Sequence, residues 1–201
     1  MNAYQTYRKD NELLEIFRDD DNESPRQWDN VGTLVTWHRN YSIGDVNFNG
    51  RDVQTPAEYK EENVPEGSVI IPVFMYDHSG ITISTSPFSC MWDSGQVGFI
   101  YVTPEKIKKE KLGTGGRTPE EHAKDLLEGE IKTLDQYLRG EVYGYTLSEI
   151  HNCDSCSSVT KEVQESCGGW YGDDFSEMFA EMGVKIEEWE EISSFEADMI
   201  V

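Results

Sequence analysis

Apolar and polar residues alternate in three neighbouring stretches near the middle of the chain: VIIPVFMYD (69–77), GITISTSP (80–87) and QVGFIYVT (96–103). Their β-branched and aromatic content fits strands. Asp77-His78-Ser79-Gly80 joins the first two as a tight hairpin, and Asp93-Ser94-Gly95 leads into the third. Both clusters carry the residues that turns need, since glycine supplies positive φ and Asp or Ser caps the turn backbone. VGTLVTWHRNY (31–41) alternates in the same way and predicts a further strand. Residues 42–68 are rich in Gly, Asn, Asp and Pro and read as a long surface connection with a short helix near Pro56–Lys60.

The period then changes. Across 118–140, Leu127, Ile131, Leu134 and Leu138 recur at offsets of four, three and four, one face of a helix. Thr118 with Glu121 forms a capping box, Pro119 occupies the first helical position, and Arg139-Gly140 closes the end. PEKIKKEKLG (104–113) predicts a shorter, basic helix. Beyond it, 141–150 reads as a strand, 151–165 as a polar loop and 166–172 as a short glycine-rich strand. Asp174 to Glu177 opens a second capped helix with Phe175, Met178, Phe179 and Met182 on one face and Gly183 at its end. Leu13, Leu14, Ile16 and Phe17 cluster as a helical turn or a strand, and the tail after Val184 as a last strand or turn. The expected class is α+β: a mainly antiparallel sheet with one long helix, about 118–139, and a C-terminal helix packed against it. The length of 201 residues favours one domain, with residues 1–30 as a peripheral arm.

Charge changes the picture most. Seventeen basic and 39 acidic residues give a net −22, and residues 141–201 hold 15 acids against 2 bases. Such a field repels phosphate backbones and anionic membrane surfaces, which argues against direct nucleic-acid binding. It favours a basic partner, including a protein that itself handles nucleic acid. No run of 18 apolar residues occurs and no apolar leader opens the chain, so a cytoplasmic protein without a membrane contact is the expectation.

Three constellations could carry chemistry. His151, Cys153, Cys156 and Cys167 offer four N and S ligands within 17 residues, enough for a tetrahedral zinc ion if the chain brings Cys167 back to the others. No other cofactor is expected. His38, Asp77, His78, Asp93 and Ser94, with Ser79 and Cys90 near them, would form an acid–base or nucleophilic set, or a carboxylate–imidazole metal site, if the two turns converge. No nucleophile elbow accompanies them. Third, Asp173, Asp174, Glu177, Glu181, Glu187, Glu188, Glu190 and Glu191 surround Trp189, an acidic surface with an apolar anchor. Gly113 to Thr118 is glycine-rich and precedes a helix, but it lacks the Lys-Ser/Thr ending of a phosphate loop.

Three blocks in fixed order, SPRQWDNVGTLVTWHRNYSIGD (24–45), YDHSGITISTSPFSCMWDSGQVGFIYV (76–102) and EVYGYTL with ESCGGWYGDD (141–174), resemble a family of tailed-phage and gut-bacterial proteins. That family has no established activity and lends no site residue; the Cys-x-x-Cys of 151–165 departs from its pattern. The resemblance implies an anti-defence role, by analogy with small acidic phage proteins that inhibit restriction or CRISPR enzymes, some by mimicking DNA. The leading expectation is thus an acidic inhibitor of a host nucleic-acid-handling protein. The alternatives are a small enzyme or ligand-binding domain sited on the two turns, and an assembly protein with a large apolar patch.

Overall fold

The computed structural model describes residues 3–49, 54–113, 115–152, 159–193 and 196–197. The chain divides into two compact units. One is split in sequence, Met1–Asn22 with Gly140–Val201, and the other, Glu23–Arg139, is inserted between its halves. The split unit begins with strands β1 (Gln5–Lys9) and β2 (Glu12–Arg18). The inserted unit holds β3 (Thr33–Trp37), β4 (Val46–Phe48), helix α1 (Pro56–Asn63), β5 (Val69–Asp77), β6 (Ile81–Ser84), β7 (Ser94–Val102), α2 (Pro104–Lys109) and α3 (Pro119–Leu138). The split unit resumes with β8 (Val142–Asn152), β9 (Val159–Tyr171), α4 (Ser176–Met182) and β10 (Glu190–Glu191). The class is α+β, with α3 as its one long helix.

The three α-helices among the described residues of the inserted unit open on Thr-Pro. The hydroxyls of Thr55, Thr103 and Thr118 accept the backbone N–H of Glu58, Lys106 and Glu121, and each proline sits where no donor is needed. Glu58 and Glu121 return a bond to complete capping boxes. The sheet order is β4-β3-β7-β5-β6, antiparallel except for the parallel β3/β4 pair. Pro72 is tolerated in β5 because β6 pairs only with Phe74–Asp77, so the proline lies past the end of that partner. At Gly98 of β7 a Cβ would fall 2.0 Å from the Val35 carbonyl oxygen, so only glycine lets these two strands approach.

Each face of this sheet has its own core. Leu127, Ile131 and Leu134 of α3 are buried against Leu34, Ile71, Val73 and Ile100. Each such side chain contributes about 1.5–3 kcal/mol. On the opposite face Trp37 stacks on Phe48 at 4.8 Å between ring centroids, and Tyr59 of α1 meets Trp37 edge-on at 5.9 Å.

A buried ion network ties the first turn of this unit to its sheet and long helix. Arg26 is only 7% exposed at its side chain. Its Nε and Nη2 bond both oxygens of Asp45 at 3.1 and 2.6 Å, Nη1 bonds Glu130 of α3 at 2.9 Å, and Nη2 also donates to the Gly32 carbonyl at 2.8 Å. The carboxylates are used again: Glu130 accepts from the Val31 and Gly32 amides, and Asp45 from the Leu34 amide. Burial works against the Arg26 charge, but the bonds to Asp45 and Glu130 outweigh it and raise the pKa above its ordinary value.

The split unit is a fully antiparallel sheet in the order β10-β1-β2-β8-β9. Leu14, Ile16, Tyr143 and Tyr145 meet Phe175 and Met178 on one face, while Leu13 and Ile150 are buried on the other. Gly183 ends α4 in the left-handed region at φ 69°. Several expectations change here. The stretch read as an N-terminal arm supplies β1 and β2. Residues 151–165, expected as a polar loop, instead extend β8 to Asn152 and begin β9 at Val159. The short strand expected at 166–172 is the end of the 13-residue β9. Asp174 lies one residue before the Phe175 cap position, and its carboxylate bonds the Ser176 amide at 3.1 Å.

Replacing Arg26 by methionine should lower stability by about 3–5 kcal/mol, because it strands two partly buried carboxylates. The check is the urea midpoint of the inserted unit followed by a tryptophan probe. Tyr59 gives a pH prediction. Burial, with the Tyr101 hydroxyl second, pushes its phenol up to about 12 from 10.0. A raised folded pKa means its stabilisation is complete below the unfolded value and is lost as pH climbs through the folded one. Tyr59→Phe should therefore flatten the alkaline fall in stability between pH 10 and about 12, measured by denaturation at stepped pH.

Candidate functional site

Because β7 is antiparallel to both β3 and β5, the C-terminal ends of β3 and β5 meet the start of β7 at one end of the sheet. That topology gathers most of the turn residues singled out in the sequence. Tyr76 pairs with Ser94, and the Asp77 amide donates to the Asp93 carbonyl at 2.9 Å. A cleft of about 480 Å³ opens there, lined among others by His38, Arg39, Asp77, Trp92, Asp93 and Ser94. This lies within the usual size range of small-molecule sites, about 300–1,000 Å³.

Local bonds fix the polar groups. Nδ1 of His38 accepts the Asn40 and Tyr41 amides at 3.3 and 3.2 Å, and its ring stacks on Tyr41 at 5.0 Å. A neutral imidazole so held carries its proton on Nε2. The Tyr41 hydroxyl donates to Asp77 Oδ1 at 3.3 Å. His78 lies beside the cleft, stacked on Tyr76, with Nδ1 3.3 Å from Asp93 Oδ2.

The arrangement is not an assembled nucleophilic set. Ser94 Oγ donates to the Cys90 carbonyl, and no hydrogen bond among the described residues joins Ser94 or Cys90 to an imidazole. Ser79 sits at the hairpin tip with φ 58°. No group of three His, Cys, Asp or Glu side chains is placed to hold a metal among the described residues. What the site offers is fixed acceptors, one fixed donor and an aromatic plate.

That plate was not anticipated from the sequence. Met91 and Trp92 are 88% and 95% exposed, far beyond what core-forming side chains of this size show. The available signal was Ser-Cys-Met-Trp-Asp-Ser-Gly, two large apolar residues inside a turn-rich stretch with no strand alternation to bury them.

The acidic residues occupy the split unit. It holds 21 acids against 5 bases, a net −16, while the inserted unit has 18 against 12, a net −6. Asp173, Asp174, Glu177, Glu181, Glu187, Glu188, Glu190 and Glu191 are all exposed. Asp173, Asp174 and Glu187 border a groove of about 560 Å³ with Tyr7, Phe179 and Lys185. Bonds to Ser176 lower the Asp174 pKa and keep it ionised. Glu188 is neutralised locally by Lys9 at 2.6 Å, and Glu190 stands opposite Arg8 in the β1/β10 pair. Trp189, expected as an apolar anchor among these acids, is half-buried against the core under α4.

The proposed zinc ligands do not all meet. His151 on β8 stands opposite Thr160, with Nε2 3.5 Å from Glu162, whereas Cys167 stands opposite Tyr145. Seven positions of strand separate Thr160 from Cys167, about 23 Å at 3.3 Å per residue. His151 and Cys167 therefore cannot ligate one ion. Cys153 and Cys156 lie outside the described residues.

No protein-family model, no curated protein and no solved structure matches the chain. No helix among the described residues is long and apolar enough to cross a membrane.

The exposed Cys167 thiol gives a direct check on the ligand geometry. One equivalent of zinc should leave its alkylation rate by iodoacetamide unchanged, as followed by peptide mass spectrometry.

Proposed function

We propose that the split unit is an acidic docking surface for a basic protein that handles nucleic acid, and that the chain acts as an inhibitor of that protein. The observation that carries this reading is the concentration of exposed carboxylates around the groove beside α4, on a unit of net −16. Asp173, Asp174, Glu177, Glu181 and Glu187 present their charge from a helix, its entry turn and a short 3-10 turn whose backbones are fixed by the core beneath. Carboxylates on a rigid frame can enter a groove built for phosphates, which is the physical basis of DNA mimicry. Tyr7 and Phe179 supply an apolar floor between the charges. The resemblance to tailed-phage proteins supports a host defence enzyme as the partner, acting in the cytoplasm.

The test is retention of host proteins on the tagged chain at low and high salt, followed by competition with duplex DNA for the retained protein. One nucleic-acid enzyme should be held at low salt, released at high salt and displaced by DNA. Reversing Asp173, Asp174, Glu177 and Glu181 to lysine should abolish retention. Binding that ignores salt, or survives this reversal, would rule out an electrostatic dock.

A further inference from the structure

The inserted unit carries a second site that the acidic surface does not explain. Its cleft combines features that together select a ligand class. Trp92 presents almost its whole indole to solvent at the mouth, with Met91 beside it. An indole this open at the edge of a cleft is free to stack on a ligand. Asp77 and Asp93 each have one carboxylate oxygen engaged, by Tyr41 and His78 respectively, and no described side chain takes the other. His38 has Nδ1 committed to backbone amides, which leaves Nε2–H as a donor. Gln96 also borders the cleft, its amide nitrogen bonded to the Gly98 carbonyl at 3.1 Å.

The balance of charge narrows the occupant. An anion would face two carboxylates on a chain of net −22. A cation would meet the Arg39 guanidinium at the same mouth. A metal has no group of three ligands among the described residues. What remains is a neutral ligand rich in hydroxyls, with one apolar face. Hydroxyls both donate and accept, so they can use free carboxylate oxygens and an imidazole N–H at once. The apolar face of a pyranose ring suits a flat, exposed indole.

We propose that this cleft binds a neutral carbohydrate, one sugar ring stacking on Trp92 while its hydroxyls bond Asp77, Asp93 and His38. This is a separate activity from the docking surface of the split unit, and either can fail without the other.

The full chain labelled with 5-fluorotryptophan provides the test, using fluorine NMR and four probes: maltose, cellobiose, lactose and N,N′-diacetylchitobiose. Trp92→Phe assigns the Trp92 signal, and the Trp170 and Trp189 signals of the split unit report on folding. At least one disaccharide should move the Trp92 signal saturably and leave Trp170 and Trp189 in place. Asp77→Asn and Asp93→Asn should each weaken that binding by about tenfold, the loss of a hydrogen bond to a charged group. Three results would overturn the proposal: no shift with any of the four sugars, a shift that survives both asparagine variants unchanged, or a Trp92 response to N-acetyl-arginine amide alone.

Discussion

The Arg26 guanidinium fixes the inserted unit at the place where its chain would otherwise be least determined. Residues 25–32 make a short 3-10 turn and an irregular entry to β3, with few repeating backbone bonds of their own. One planar cation binds Asp45 through two nitrogens, Glu130 through a third and the Gly32 carbonyl besides, so loop, sheet edge and long helix share one reference point. A lysine could not do this, because its ammonium has no fork of donors with fixed directions. The carboxylates in turn satisfy the Val31, Gly32 and Leu34 amides. The cost of burying the charges is met by near-complete hydrogen bonding, which is the condition under which a buried ion network is tolerated.

From that anchor the rest of the unit follows in order. β3 starts immediately after the network and carries Trp37 and His38 to the far end of the sheet. There the reversal through β7 and β5 delivers Asp77, Asp93 and Ser94 to the same place. The cleft is thus built mainly at strand ends, while the loop 85–93 adds Asp93 and the exposed Trp92. A rigid sheet positions the polar groups and a connecting segment supplies the contact surface, the common division of labour between scaffold and loop.

The split unit solves a different problem. β2 and β8 are neighbours in its sheet, and the Asp19 amide bonds the Val142 carbonyl at 2.9 Å, so the chain leaves and returns at adjacent points. An insertion of more than a hundred residues there leaves this sheet's pairing intact, as expected where the two ends of an insertion lie close together. Its surplus charge stands on the exposed side of α4, the turn after β9 and the short segment before β10. The uncharged faces of the same elements form the core.

Some of this was fixed by sequence alone. Thr118-Pro119 with Glu121 specifies a helix start through bonds spanning three residues, and the spacing of Leu127, Ile131 and Leu134 specifies the face that is buried. The strands read at 69–77 and 96–103 and the acidic C-terminal third were equally legible, because propensity, periodicity and charge are properties of short windows, although the second strand begins at Ser94, inside the expected turn. Tertiary structure decided the rest. Residues 160–166, Thr-Lys-Glu-Val-Gln-Glu-Ser, show no alternation, since nothing buries them on either face; they are a strand because β8 supplies a ladder of partners. The same pairing sets His151 of β8 opposite Thr160, seven positions along β9 from Cys167. Whether Asp77 and Asp93 meet depends on the order of strands in the sheet, and Arg26 finds Glu130 across 104 residues of chain. These are choices between distant segments, settled by which arrangement buries the apolar faces and pairs every backbone group, and no short window of sequence contains them.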